Sequence, residues 1–363
     1  MGASQVLPYL EGVAREGMAV TLHSFEKSPP TAELKDRLAA ASVEWRPHRF
    51  GAAGGAGGAW RAARGARVVR GADLVHARSD LPAASALLAR GRCWVWDVRS
   101  FWADERISLG TLTRDSLQER VLRRVEAAAA QRASAVITLT EAAIDVLARR
   151  HGEAIRDRAT VIPTCVDTAR FALHPLPEAD AVRVMLSGSF NALYDLETSL
   201  RLISTIGKRR KIEVTLVRPR PSAWDEAVLS IGGRVASANF SEMPTWLAAS
   251  HVGLCVLRLG AADTLAACAP TKIAEFLATG RPVVVNAGIG DFDRLLTRYG
   301  CGVIIAEPTA AGLGGAADEL CALLDDPGTP ARCRALAVER FDLSDGVRRL
   351  SEVYRRALGG AGR

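Results

Sequence analysis

Lys272 and Glu275 stand three residues apart in the run Ala269 to Asp291, APTKIAEFLATGRPVVVNAGIGD. Thr271 is placed to cap a helix whose Ile273, Phe276 and Leu277 form one apolar stripe; Gly280 closes it and Pro282 opens a strand. Lys272 and Glu275 then share the opposite face. An ammonium beside a carboxylate suits a nucleotide diphosphate, with the lysine toward phosphate oxygens and the glutamate accepting from ribose hydroxyls. The same spacing also describes a solvated i,i+3 ion pair, and spacing alone leaves both readings open. A second polar group, WDVRSFWADE (96–105), gathers Asp97, Arg99, Asp104 and Glu105 just past a strand-like run, and DLVHARSD places His76 and Arg78 at the end of another.

Such groups need elements to aim them. Short, nearly continuous apolar runs at 19–25, 73–78, 93–99, 135–140 and 159–163 form one series of strands, and runs at 182–188, 212–218, 252–257, 282–286 and 302–306 form another. Strands of this kind suit parallel sheets covered on both faces. Helical stretches lie between them, such as Arg114 to Arg132, where Leu117, Val121, Leu122, Val125 and Ala129 keep a 3.6-residue period. The alternation predicts an α/β fold of two doubly wound, Rossmann-like domains facing a cleft, where strand ends bind ligands. We expect a first domain over 1–166, a linker over 167–181 (DTARFALHPLPEADA), a second domain over 182–340 and a closing segment over 341–363. Residues 49–67, RFGAAGGAGGAWRAARGAR, read as a mobile basic surface loop.

The joint order of these pieces resembles glycosyltransferase family 4, the retaining enzymes of the GT-B fold. Glu275, followed by a small-residue helix end and G-x-P-V-V, matches the family's ribose-binding position. VIPTCVDTARF (161–171) is similar to V-I-P-N-G-V-D-x-x-x-F at the end of its first domain. GASQVLPYLEGVAREGMAVTLHSFEK (2–27) resembles its opening glycine loop, helix and second strand. FDLSDGVRRLSEVYRRAL (341–358) looks like its closing helices, which cross back onto the first domain. The resemblance covers essentially the whole chain. It implies sugar transfer with retention from a nucleotide-diphosphate sugar to a saccharide or lipid-linked acceptor, without a metal or other cofactor, in surface polysaccharide or glycoconjugate synthesis.

The remaining candidates follow from which polar and glycine residues fall at the strand ends and turns around the expected cleft. The donor side would comprise Glu275, Lys272, Thr271, Gly188, Ser189, Gly2, Gly288, Gly290 and Arg218 or Arg220, the glycines presenting amides to the diphosphate. On the acceptor side, Asp97 would orient a hydroxyl, Arg99 hold a phosphate or developing negative charge, His76 serve as base, and Arg78 and Glu105 bind acceptor. A structural Asp–Arg pair and a packed histidine are the plain alternatives. Departures accompany the match. Ala267 stands where the family has the first Glu of an E-x7-E pair, Thr164-Cys165 replaces Asn-Gly, and SGSFNALYDLE (187–197) lacks the usual phosphate-binding Arg and Lys. Met1-Gly2-Ala3-Ser4 is already the glycine loop, so the strand that opens the family's first domain is missing. We expect the translation start to lie upstream, which intact mass of the native protein tests.

Two tempting motifs are set aside. Asp291-Phe292-Asp293 matches D-x-D, but is expected to cap a helix after the glycine turn. No G-x-G-x-x-G follows a strand, and GAAGGAGG has no P-loop lysine after it. The chain has 363 residues, 48 % of them hydrophobic and 24 % charged, which excludes small stapled scaffolds and disordered chains. Its seven cysteines are scattered, without a C-x-x-C pair, and read as buried hydrophobes in a reducing compartment. Residues 1–165 carry 24 basic and 18 acidic side chains, so +6 of the formal +7 lies there. That excess is either a generic basic surface or an attraction to anionic lipid headgroups; no nucleic-acid partner is expected. No signal sequence or membrane-spanning run is present, so a cytoplasmic protein, peripheral at the inner membrane face, is expected. The rivals are a nucleotide-sugar epimerase of the same architecture and a non-catalytic nucleotide-sugar-binding protein.

Overall fold

A computed structural model describes residues 5–91, 93–258, 260 and 262–361. The chain divides into two compact units: Met1–Pro163 with Ala266–Cys268 and Leu343–Arg363, and Thr164–Leu265 with Ala269–Asp342.

In the first unit β1 (Val20–Glu26) pairs in parallel with β2 (Val43–Arg49), and β3 (Val75–Arg78), β4 (Trp94–Val98), β5 (Ala135–Thr138) and β6 (Ala159–Val161) form a separate parallel sheet in that order. The single doubly wound sheet expected for this unit is therefore two sheets. Among the described residues, neither β1 nor β3 has a second ladder partner. Trp94, Val95, Trp96 and Val98 are buried on both faces of β4, as a central strand between helices requires. The closing helix Leu343–Ala361 supplies Val347, Leu350, Val353, Tyr354 and Ala357 to a core with Val13, Val95, Ile137 and Ile162. It crosses the helix Leu7–Arg15 at Gly12, where a Cβ would lie 2.5 Å from Val347.

Two expectations for this unit are corrected. Residues 54–68 are not a loop but the helix Gly54–Val68. A Cβ on Gly57 would fall 1.9 Å from the Ala52 carbonyl oxygen and one on Gly65 2.4 Å from Ser85 Oγ, so these glycines admit close backbone approach. Arg61 is buried and donates to the carbonyls of Phe50 and Ala52. The apolar stripe read over 114–132 begins in solvent: the helix is Leu117–Arg132, and Leu117 and Val121 are exposed. Its buried face carries Glu126, Ala129 and Ala130. Glu126 and Asp104 share Arg123 and Arg150 in an ion-pair network, which makes Asp104 structural.

The second unit is one six-stranded parallel sheet of β7 (Val182–Ser187), β8 (Ile212–Val217), β9 (Arg234–Ala236), β10 (Val252–Cys255), β11 (Val283–Asn286) and β12 (Gly302–Ile305), ordered β12-β11-β10-β7-β8-β9. The chain runs outward from β7 to β9, then returns to the other side of β7 and runs outward again. The gap between the loops that follow β7 and β10 is thus the topological switch point, the place where open parallel sheets bind ligands. The segment 167–181 belongs to this unit and is stapled to it by two arginines. Arg281, fully buried, donates to the carbonyls of His174, Pro175, Leu247 and Ala248, and Arg334 to those of Thr168, Phe171 and Ala278.

Candidate functional site

At the switch point the loop after β7 and the chain after β10 are tied together. Asp195 N–H donates to Val256 O at 3.0 Å and Arg258 N–H to Leu193 O at 2.8 Å. The helix Thr271–Ala278 packs close to β10: Phe276 lies so near Gly253 that a Cβ there would be 2.3 Å from its ring. Pro270, not Thr271, holds the N-cap position, and Thr271 is the first helical residue. The face opposite the apolar stripe is not solvated. Lys272 and Glu275 are 7 % and 8 % exposed, and among the described residues Lys272 Nζ has no hydrogen-bonded carboxylate, Glu275 included. A buried charge without a hydrogen-bonded partner is costly, so the solvated-pair reading fails here.

Lys272 Nζ has no hydrogen-bond partner among the described residues. It stands 4.0 Å from the ring centroid of Tyr194 and 4.7 Å from that of Phe190. Phe190 in turn stacks on Trp224, centroids 4.5 Å apart. Gly188 adopts φ +114° directly against the lysine, and a Cβ there would fall 3.0 Å from Nζ. Backbone and ammonium can share this space only because residue 188 has no side chain. Ser187 Oγ, at the end of β7, is also buried without a hydrogen-bond partner among the described residues. For Glu275, burial pushes the carboxyl up to about 7 against the pull of Lys272 and Arg170. Arg170 donates to the Phe240 carbonyl and lies over its ring, tying the loop after β9 to this side of the unit.

The remaining donor candidates fare differently. Ser189 is exposed in the same loop. The amides proposed for anion contact are already engaged: Gly188 N–H donates to Val217 O, Gly288 N–H to Asp293 Oδ2 and Gly290 N–H to Leu265 O. Asp291 occupies the N-cap position of the helix Phe292–Tyr299, but it is Asp293 that fixes the glycine turn. Arg218 is held by both oxygens of Asp225, at 2.6–3.1 Å, and is drawn away from any phosphate role. Gly2 lies outside the described residues.

In the first unit the strand ends bring His76, Arg78, Asp97 and Arg99 together. His76 Nε2 is 3.2 Å and Arg78 Nη1 3.0 Å from Asp97 Oδ2, and Arg99 Nη1 is 3.5 Å from Oδ1. Burial alone would raise the Asp97 carboxyl, yet Arg99, His76 and Arg78 hold it well below the usual carboxylate range. Tyr354, from the closing helix, lies 2.8 Å from His76 Nδ1. Burial, and then the Asp97 charge, raise this phenol, so it stays protonated. The Asp97 carboxylate can only accept, so His76 Nε2 carries the hydrogen that faces it, while Nδ1 meets the Tyr354 hydroxyl; both ring nitrogens are engaged, against the expected role as base. Glu105 is half-buried on the helix Trp102–Ser108, and the hydrogen bonds that join the cluster run among His76, Arg78, Asp97 and Arg99 without it. Sequence reasoning missed Phe190, Tyr194, Arg170 and Tyr354. Only the i,i+4 spacing of the first two hinted at a shared surface.

Residues 4–170 match the family described as Glycosyltransferase Family 4. No curated protein matches the chain by sequence. Several solved structures match it in fold. A sucrose-phosphate synthase from Thermosynechococcus elongatus superposes with a TM-score of 0.73 at 16 % identity, covering 97 % of this chain and 92 % of the other. Anabaena HepE in complex with UDP and glucose gives 0.64 at 17 % identity, covering 92 % and 98 %. WaaG, a glycosyltransferase involved in lipopolysaccharide biosynthesis, gives 0.64 at 13 % identity, covering 96 % and 94 %.

Proposed function

From a chain with the GT-B glycosyltransferase fold, whose first half matches family 4, we infer a transferase that moves a sugar from a nucleotide-diphosphate sugar to an acceptor hydroxyl. One observation carries the reading: a buried, unpartnered ammonium, Lys272, sits at the switch point of the second unit with a buried carboxyl, Glu275, one helical turn away. Diphosphate oxygens would give that ammonium its missing acceptors and would gain charge as the sugar leaves, so the interaction strengthens toward the transition state. Glu275 would accept from ribose hydroxyls, and the loop pinned by Arg170 would meet the base. HepE's binding of UDP and of UDP-glucose makes uridine diphosphate the first probe. Retention of configuration follows the family resemblance, and the acceptor is a saccharide or lipid-linked saccharide of surface-polymer synthesis. No helix among the described residues is long and apolar enough to cross a membrane, so access to a lipid-linked acceptor would be peripheral.

The test is calorimetric titration of UDP, with turnover of candidate UDP-sugars, in wild type, Lys272→Ala and Glu275→Ala. Each substitution is expected to weaken UDP binding at least tenfold, about 1.4 kcal/mol. Undiminished affinity and turnover in both variants reject the site.

A further inference from the structure

The ends of β3 and β4 hold more positive charge than their own partners neutralise. Arg78 and Arg99 both converge on the single carboxylate of Asp97. His76 adds no counter-charge, and Arg78 Nη2 spends its other contact on the neutral Gln5 Oε1 at 3.0 Å. The layering has a direction: the Asp97 side chain is 4 % exposed, whereas Arg78 and Arg99 are 25 % and 16 % exposed. Solvent therefore meets two guanidiniums over one buried anion. Two further observations mark the spot. It lies at the carboxyl ends of adjacent parallel strands. The next residue, Ser79, holds φ +78°, a costly conformation for a non-glycine residue, fixed by its N–H to Asp97 O at 2.8 Å.

We propose that Arg78 and Arg99 form a binding site for a phosphate-type oxyanion seated above Asp97, and that Asp97, His76 and Tyr354 are its positioning residues. Each arginine carries five N–H donors in a rigid fork. Arg78 spends two of them internally and Arg99 one, so the pair presents more donors than a planar carboxylate accepts and suits a tetrahedral dianion. Asp97 holds the two like charges together, and the Tyr354 hydroxyl orients His76 so that its N–H fixes Asp97 Oδ2. Resting on the transferase reading only for the word acceptor, the proposal gives the acceptor a phosphate ester or diphosphate.

The experiment uses the full chain carrying Lys272→Met, so that the proposed donor phosphate site is disabled and the outcome does not depend on UDP. Inorganic phosphate, titrated at constant ionic strength, is expected to raise the melting temperature. Adding Arg99→Gln should weaken the apparent affinity at least tenfold, Arg99→Lys, which keeps the charge but not the fork, should recover only part of it, and the exposed Arg156→Gln should change nothing. Tyr354→Phe, which keeps the packed ring, is expected to weaken phosphate severalfold. An equal response to acetate, or phosphate protection that survives both Arg99→Gln and Arg78→Gln, overturns the proposal. Two further arms separate sources of the same chemistry: Arg99-dependent protection by a soluble hexose phosphate indicates a free acceptor, and Arg99-dependent sedimentation with phosphatidate vesicles indicates a lipid-borne one. Absence of both also overturns it.

Discussion

The Lys272 ammonium faces the Tyr194 ring at 4.0 Å and no hydrogen-bond acceptor among the described residues. Ring quadrupoles return ~0.5–2 kcal/mol to such a cation, less than burial without an acceptor costs. The free protein therefore carries strain that a bound diphosphate would relieve. Lys272→Met, close in volume and without charge, is expected to melt at or above the wild-type temperature while losing the stabilisation by UDP. Thermal melts with and without UDP check this; a destabilised variant would show that the lysine has a structural partner.

How far such a site can be read from sequence depends on what spacing encodes. The strands were legible because Val, Ile and Leu dominate runs such as β10 and β11, buried on both faces. Lys272 and Glu275 were legible as a pair on one face, but spacing cannot say whether that face meets water or Phe190 and Tyr194. The glycine turns were legible from composition and do take positive φ at Gly188, Gly288 and Gly290. Their amides were not, because the acceptors, Val217 O and Leu265 O, come from distant chain. Residues 54–68 were misread for a similar reason. Intrinsic propensity opposes a helix with so many glycines, while close approach to Ser85 and Ala52 favours one. Tyr354 meets His76 across 278 residues, beyond any local pattern.

Arg281 tests whether the segment 167–181 is truly part of the second unit. Among the described residues its guanidinium meets carbonyls and no carboxylate, and burial lowers it to about 10. It is kept by four carbonyls, two of them, His174 and Pro175, in that segment. Arg281→Met would strand those carbonyls, at roughly 1 kcal/mol or more each. A loss of about 3–5 kcal/mol in urea unfolding of the second unit is expected, with Arg281→Lys in between. A cost below about 1 kcal/mol would mean that water replaces the guanidinium.

Glu275 sets function against stability, and pH separates them. Its carboxyl titrates at about 7 in the folded chain against an ordinary 4.5, because burial disfavours the charge. Between these values the folded state binds more protons than the unfolded one, so stability falls as pH rises through the window. The contribution is complete below pH 4.5 and lost above about 7, amounting to ~3 kcal/mol at most. Asp80, which burial and Glu126 push up to about 7, adds a slope of the same sign. The difference between wild type and Glu275→Gln cancels it. The amide variant is accordingly expected to match wild type near pH 4.5 and to exceed it by up to ~3 kcal/mol at pH 8, while losing UDP affinity. Ribose hydroxyls donating to the carboxylate favour its charged form, so wild-type UDP binding at pH 6 should release protons, visible as a buffer-dependent calorimetric enthalpy. Binding enthalpies that do not vary between buffers of different ionisation heat would remove Glu275 from the ribose site.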